Sequence, residues 1–382
     1  MKNEHSFTRR DFVKTTAAVA TVAMVSGMLP NFAVNAGAAA VKTITLDNCI
    51  KMTPLKMAES SDYVTRSYKS LQGMAATISD SKIKAVVTNY LNSPKVTLLE
   101  LYENDTSKSN VRQKLVNAGF LKPDINNTML FPTNKGTNVP QPFYSAPGSG
   151  YSAHHSYPGG LATHVAVNTI ISQALYDAYE KIYGYKMNRD IIIASQILHD
   201  YHKPWIFQWN DDASSFREYV IVDQGGHHVL SIAESLHLGV PAELAVAIAC
   251  AHNHPGNPTD EAQVASWLKA AAILADVDPV KYGILDKDGE RLPQPLRQEG
   301  FMTHLGDHDF VLTNPAARIM IEQLKKSAKS VYKMSDSDIN GKPFNSLRNY
   351  LFSQITVKHL QSIYINGGEA ALNEKIREVV TL

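Results

Sequence analysis

The strongest constraint on this chain is a series of histidines and acids in a fixed order. The series is His164, His199-Asp200, His227, His252 and Asp276. Its members are spaced by roughly 24 to 35 residues, which is about one helix plus a connection in an all-helical domain. Imidazole nitrogens and carboxylate oxygens are the ligands with which proteins hold divalent metal ions. The series therefore predicts a metal site to which several helices contribute.

The adjacent pair His199-Asp200 favours two ions over one. It ends the apolar run 191–198, which has the composition of a buried helix. Neighbouring residues on a helix point about 100° apart, so the imidazole can take one ion while the carboxylate bridges both. We expect Asp200 to be the bridge, with His164 and Asp276 beside His199 at one ion and His227 and His252 at the other. Two such ions clamp a substrate oxygen and activate water.

Three further side chains are candidates for contact with substrate. Lys203 would balance an anionic group such as a phosphate, unless it is simply a solvated surface lysine. His154 and His155 would meet the same anion or give a proton to the leaving oxygen, because imidazole titrates near neutral pH. The sequence leaves open whether His227 or its neighbour His228 is the ligand, although the spacing favours His227.

The periodicity of the chain predicts an all-α fold. Apolar residues recur at three- and four-residue spacing, which places helices near 53–76, 80–93, 108–119, 160–183, 188–201, 226–238, 241–252, 261–276, 314–333, 344–361 and 368–380. The stretch 126–150 is rich in Asn, Thr, Pro and Gly and reads as a loop. We expect an N-terminal helical region and loop over 37–150, a metal-binding domain over 151–280, and a turn region followed by C-terminal helices over 281–382.

The first 36 residues read as an export signal. Arg9 and Arg10 precede Phe12 and Lys14, and an uncharged apolar run follows over 17–29. This resembles a bacterial twin-arginine signal peptide, with small residues at 34–36 for cleavage. It predicts recognition by the twin-arginine export machinery and a periplasmic protein that is soluble after cleavage. The alternative is an uncleaved anchor, for which the run is short.

The charge balance argues against a polyanion as a standing partner. The whole chain carries a net charge of +1, and the balance stays near neutral without the signal, so we expect no stable nucleic-acid partner. A small anionic substrate remains compatible with this balance. Cys49 and Cys250 would be free to pair in an oxidising compartment, but the apolar surroundings of Cys250 favour a buried thiol.

The ligand series resembles the HD-domain superfamily of metal-dependent phosphohydrolases. Five segments carry the resemblance: the entry segment 154–164, the His199-Asp200-x-x-Lys203 form, Gly226-His227 with Ser231, His252-Asn253-His254 at the position of the family's histidine pair, and the closing Ala275-Asp276. The resemblance covers about 151–280. It implies a hydrolase for phosphomonoesters or phosphodiesters with two divalent ions, Mn, Mg, Zn or Fe. The bulky Tyr201 and His202 depart from the small residues usual there. Together with the aromatic residues that follow, such as Trp205, they would narrow the pocket, bind a flat or apolar substrate, or belong to the core.

Two other functions remain compatible with these residues. Some HD proteins are thought to be mixed-valent di-iron oxygenases with the same ligand order. A non-catalytic protein that keeps the fold and the metals is the other alternative. The sequence offers no discriminator, and it contains no P-loop, dinucleotide fingerprint or Ser/Cys nucleophile motif.

Overall fold

The computed structural model describes residues 40–132, 140–151 and 153–382. The predicted export signal lies outside these residues. The described part of the chain forms one compact unit. It is built from α-helices with a few two-residue strands, which confirms the predicted all-α class. None of the described helices is both long and apolar enough to cross a bilayer.

The helices follow one another with short connections. In chain order they are α1 (Leu46–Lys51), α2 (Pro54–Ser60), α3 (Asp62–Ala76), α4 (Ser81–Asn92), α5 (Asp105–Asn117), α6 (Asn127–Leu130), α7 (Gly160–Tyr183), α8 (Arg189–Leu198), α9 (Lys203–Ile206), α10 (Gly226–His237), α11 (Ala242–Ala249), α12 (Pro258–Ala275), α13 (Pro279–Tyr282), α14 (Glu299–Asp307), α15 (Phe310–Tyr332), α16 (Asp336–Ile339), α17 (Lys342–Ile355) and α18 (Val357–Val379). Two 3₁₀ turns lie at Thr97–Leu101 and Phe143–Ser145.

Local sequence explains where several helices begin. Ser61 accepts a hydrogen bond from Val64 N and so starts α3, which breaks the helix predicted over 53–76 into α2 and α3. Asp80 caps α4 through the backbone N–H groups of Lys82 and Ile83. Such caps satisfy backbone donors that a helix leaves free at its first turn.

At the centre of the unit, several helices pack around α8. Helices α7, α11 and α14 contact α8, and α10 packs along α12. Residues 191–198 of α8 are all buried, as expected for a helix covered on every side. The end of α8 therefore lies deep in the protein, where the His199-Asp200 pair follows it.

The two ends of the compact unit meet. Strand β1 (Ile44–Thr45) pairs in parallel with β4 (Val380–Thr381), while β2 (Val220–Ile221) and β3 (Gln224–Gly225) form a short hairpin before α10. C-terminal helix α17 packs against α1 and α2 at the other end of the chain. Cys49 and Cys250 are both buried and free, so the disulfide alternative does not hold.

Candidate metal centre

A tight glycine turn positions the first candidate ligand. Gly159 has a positive φ of 86°, and Gly160 opens α7. A Cβ atom on Gly160 would lie 1.9 Å from the His155 carbonyl oxygen, so only glycine lets the loop close onto the helix. The loop therefore holds His154 and His155 beside the start of α7, whose fifth residue is His164.

The end of helix α8 positions the next two candidate ligands, His199 and Asp200. His199 is the C-cap residue of α8, and its Nδ1 lies 2.8 Å from the Gln196 carbonyl oxygen. A proton on Nδ1 would donate to this carbonyl and leave Nε2 free to act as a ligand. Asp200 follows at once and is fully buried, with its carbonyl oxygen accepting a hydrogen bond from the Tyr90 hydroxyl at 3.1 Å.

Two carboxylates face the same pair of imidazoles. Asp200 Oδ2 lies 3.3 Å from Nε2 of both His164 and His199. Asp307 Oδ1 lies 3.2 Å from the same two nitrogen atoms. Metal–ligand bonds of about 2.0–2.2 Å place neighbouring ligand atoms roughly 3 Å apart. These four side chains thus have the spacing of ligands that share one ion.

The remaining carboxylate oxygens face two other imidazoles. Asp200 Oδ1 lies 3.4 Å from His227 Nε2, and Asp307 Oδ2 lies 3.3 Å from His252 Nε2. Each carboxylate therefore has one oxygen toward the His164–His199 pair and the other toward a different histidine. Both are placed as a bridging ligand would be.

Burial and charge set the protonation of these groups. Burial raises the pKa of Asp200, but the neighbouring His199 and Lys203 hold it well below its usual range. Burial also raises the pKa of Asp307, but the neighbouring His199 and His252 hold this pKa well below its usual range. Burial lowers the pKa of His252 to about 3. Burial also opposes protonation of His199, but the two carboxylates raise its pKa to about 10. In the absence of metal, His199 is thus protonated and, with Lys203, offsets the charge of the two acids.

Several polar atoms in the cluster have no hydrogen bond to any described residue. They include His199 Nε2, Asp200 Oδ1, His227 Nε2 and His228 Nδ1, all buried. A buried polar atom without a partner is costly and uncommon. The buried His and Asp groups can hold metal ions, and ions there would satisfy these atoms. The residues present therefore fit a metal centre.

Outer contacts orient the ligands. Glu218 Oε2 lies 2.6 Å from His227 Nδ1 and accepts a hydrogen bond from His227 N at 2.9 Å. A carboxylate on one imidazole nitrogen directs the other toward a metal, a common arrangement behind metal-binding histidines. Asn168 Nδ2 similarly donates to Asp307 Oδ1 at 2.7 Å. Sequence reasoning missed both Glu218 and Asn168.

Lys203 is buried rather than solvated. Only 3% of its surface is exposed, and its Nζ lies 2.6 Å from Asp200 Oδ2. The interpretation of Lys203 as a surface residue is therefore wrong. This buried cation offsets part of the negative charge of the carboxylate cluster.

His154 and His155 flank His164 on the side of the glycine turn. Their ring centroids lie 5.3 Å and 5.0 Å from that of His164. Their Nδ1 atoms are 2.6 Å apart, and His155 Nε2 lies 3.6 Å from Asp309 Oδ2. Burial lowers the pKa of both rings well below the usual value, so both are neutral at pH 7.

Asp276 does not join the cluster, which corrects one predicted ligand. Helix α12 ends at Ala275, and Asp276 takes a left-handed conformation with φ 52°. Its side chain is 76% exposed and lies 3.7 Å from Lys114 Nζ. The turn at the helix end directs the carboxylate to the surface, and Asp307, at the end of α14, lies in the cluster instead. Chain order and the Ala275-Asp276 motif both predict Asp276 as the ligand, and this prediction is wrong.

The geometry also separates His227 from His228. His227 presents Nε2 to Asp200, whereas the His228 ring stacks on His252 with centroids 3.5 Å apart. This favours His227 as the ligand. Among the bulky residues after the pair, Tyr201 and Trp205 are buried, and Tyr201 stacks on Tyr90 in the core.

Comparison with known proteins gives one informative similarity. The chain is 32% identical over 123 residues to the dihydroneopterin 2′,3′-cyclic phosphate phosphodiesterase of Methanocaldococcus jannaschii. The match covers 32% of this chain and 48% of that protein, so the chain spans about half the length of this curated relative. No family model matches the chain, and no solved structure matches it significantly.

Proposed function

We propose that this protein is a metal-dependent phosphohydrolase of the HD type with a binuclear centre. The observation that carries the proposal is the pair of buried carboxylates, Asp200 and Asp307, each of which faces histidines on two sides. The proposed ligands are His164, His199, Asp200, His227, His252 and Asp307. This set keeps five of the six residues expected from the sequence and replaces Asp276 with Asp307.

Two divalent ions at this centre would polarise a phosphoryl group and lower the pKa of a water molecule. Asp200 and Asp307 would each act as a ligand to both ions. Their two negative charges do not neutralise two divalent ions, and Lys203 adds a further positive charge. The site therefore favours an anionic substrate.

The chain's own residues then orient and protonate the substrate. Lys203 would balance the phosphoryl charge next to Asp200. The neutral His154 and His155, beside His164, would contact the phosphoryl oxygens through an N–H group, or would accept the proton that the attacking water loses and pass it to the departing alcohol oxygen. In this hydrolysis a water oxygen bonds to phosphorus, the bond between phosphorus and the alcohol oxygen breaks, and the alcohol leaves with a proton.

The similarity to a cyclic phosphate phosphodiesterase supports hydrolysis of phosphoesters. We extend it to this chain as a preference for phosphodiesters, including cyclic ones. The proposal includes divalent Mn, Mg, Zn or Fe as the native ions.

The test is hydrolysis by the purified protein supplied in turn with each of these metals. The substrates are p-nitrophenyl phosphate, bis(p-nitrophenyl) phosphate and adenosine 2′,3′-cyclic phosphate. We expect hydrolysis of at least one diester, loss of detectable hydrolysis in Asp200→Ala because a metal ligand is removed, and wild-type rates in Asp276→Ala. No hydrolysis with any metal contradicts the proposal. An electron paramagnetic resonance signal of a mixed-valent di-iron centre in such an inactive protein would favour the oxygenase.

A further inference from the structure

Two histidines at the end of helix α14 lie outside the proposed ligand set. His304 is in the last turn of α14, and His308 caps the helix four residues later. Side chains four residues apart lie on the same face of a helix, so the two rings are neighbours. Both residues are partly exposed, in contrast to the buried His164 and His199. The function proposed for the buried centre uses neither member of this pair.

Hydrogen bonds fix which nitrogen of each ring is free. His304 Nδ1 lies 3.2 Å from the Ala251 carbonyl oxygen, and His308 Nδ1 lies 2.6 Å from the His304 carbonyl oxygen. A carbonyl oxygen only accepts, so each neutral ring carries its proton on Nδ1 and its lone pair on Nε2. Neither Nε2 atom has a hydrogen-bond partner among the described residues, and neither is among the atoms buried from solvent. Two accessible ligand nitrogens therefore lie one helical turn apart.

The rings of His304 and His308 are placed as two ligands of one ion would be. Their centroids lie 4.1 Å apart, and their planes are inclined by 65°. Metal–nitrogen bonds of about 2.0–2.1 Å place the centroids of two neighbouring imidazole ligands roughly 4–5 Å apart. Because the lone pair lies in the ring plane, a shared ion must lie close to both planes. Inclined planes intersect and allow this, whereas the stacked rings of His228 and His252, inclined by only 15°, do not.

The surroundings keep the pair neutral and available. Burial lowers the pKa of His304 to about 4, with further lowering by the neighbouring His308 and His254. A metal ion therefore displaces no proton from His304 at pH 7. His254 is engaged elsewhere, because its Nδ1 accepts from Gly256 N at 3.0 Å and its Nε2 lies 3.3 Å from Asp260 Oδ2. His304 and His308 thus supply the protein ligands, and water takes the remaining positions.

We infer that His304 and His308 form a separate, solvent-accessible metal site for a divalent transition ion that prefers imidazole. Two neutral imidazole nitrogens favour Cu²⁺, Ni²⁺ or Zn²⁺ over Mg²⁺ or Mn²⁺, which prefer carboxylate and water oxygen. The donor set thus differs from that of the buried centre, in which two carboxylates take part. This site goes beyond the proposed hydrolysis and does not depend on it.

The test is isothermal titration calorimetry of Ni²⁺ into the purified protein without a histidine tag. The ions that the protein retains after desalting are first counted by elemental mass spectrometry. We expect one exchangeable Ni²⁺ per chain in addition to these retained ions, and no comparable binding of Mg²⁺ at the same concentrations. Absence of an exchangeable Ni²⁺ site in the wild type overturns the inference.

Variants of the two histidines separate chelation from adsorption to single rings. In a chelate the second nitrogen acts at a high effective concentration, so His304→Gln and His308→Gln should each weaken Ni²⁺ binding at least tenfold. The double variant should lose little more than either single variant. His237→Gln, at a partly exposed histidine that ends α10, is the matched control and should bind Ni²⁺ as the wild type does. Circular dichroism verifies that each variant is folded.

Three results would overturn the metal site. The first is wild-type binding of Ni²⁺ in both single variants. The second is partial loss in each single variant with additive loss in the double variant, which indicates independent adsorption. The third is loss of the retained ions together with the exchangeable one, which assigns the Ni²⁺ to the buried centre. Selective loss of the exchangeable Ni²⁺ supports the site even in a protein that hydrolyses no phosphoester, in which case only the proposed hydrolysis fails.

Discussion

At the scale of single residues, the site depends on two carboxylates that are buried from solvent. Asp200 and Asp307 are each no more than 2% exposed, and an ionised carboxylate in such a place is costly unless it is paired. Histidines and Lys203 provide that compensation in the absence of metal. Metal ions would replace the charge on His199, because a ligand imidazole must be deprotonated.

Lys203 offers a direct test of the division between metal binding and substrate binding. We expect Lys203→Met to keep both metals, since Lys203 is not a ligand, and to lower kcat/KM roughly 10²-fold, the scale of a lost charge-stabilising contact. Methionine has a similar length and no charge, so the buried space stays filled. Steady-state kinetics and metal analysis of the same preparation are the measurements.

The control for this prediction is Lys186→Met, at an exposed lysine outside the site. It should match the wild type in both measurements. Full turnover in Lys203→Met would remove Lys203 from the substrate-binding role.

At the scale of elements, helix α14 completes the cluster. It delivers Asp307 through close packing on α7 and α8. Buried side chains join the three helices: Gln196 Nε2 donates to Ser172 Oγ at 2.8 Å and to the Thr303 carbonyl oxygen at 2.7 Å. The approach is close because residue 306 is glycine. A Cβ atom there would lie 2.0 Å from Ser172 Oγ.

Gly306→Ala should therefore displace α14 and the neighbouring Asp307. We expect a loss of about 1–3 kcal/mol in the free energy of unfolding, the usual result of overpacking, together with weaker metal binding. Thermal unfolding and metal titration check this. Leu305→Ala on the same helix, at a residue 44% exposed, should change both by little. Equal behaviour of the two variants would show that the packing does not position Asp307.

The sequence predicts helices well where they are long and periodic, and less well where they are short. Helix α7 has the predicted bounds, 160–183. Helix α14 has only nine residues and follows a stretch rich in Pro, Gly and Asp, so its periodicity is too short to detect. Missing α14 also meant missing Asp307. Chain order and the Ala275-Asp276 motif both predict Asp276 as the closing ligand. Neither can reveal that a left-handed turn directs its carboxylate outward.

At the scale of the whole molecule, the C-terminal helices support the site as well as the fold. Helix α17 contacts α1 and α2 near the start of the compact unit and also holds the loop that carries His155. Elements from all three predicted regions thus pack together. No motif in 281–382 indicated this role, because it depends on contacts between residues about 190 positions apart, such as Arg348 with Ser156.

We also propose that the protein is exported to the periplasm by the twin-arginine route, on the basis of Arg9 and Arg10 in the sequence. The double variant Arg9→Lys, Arg10→Lys keeps the charge and should leave the full-length protein in the cytoplasm. Lys2→Gln, which changes the charge but keeps the pair, should still be exported and cleaved. Fractionation of a bacterium that has this translocase tests it, and export of both variants would contradict the proposal.

The most direct test of the binuclear centre is the metal content of the purified protein, by elemental mass spectrometry. We predict two ions per chain in the wild type and in Asp276→Ala, and at most one in Asp307→Ala and in Asp307→Asn, which preserves the side-chain volume. Circular dichroism verifies that each variant is folded. Two ions retained in a folded Asp307 variant, or ions lost from Asp276→Ala, would contradict this account.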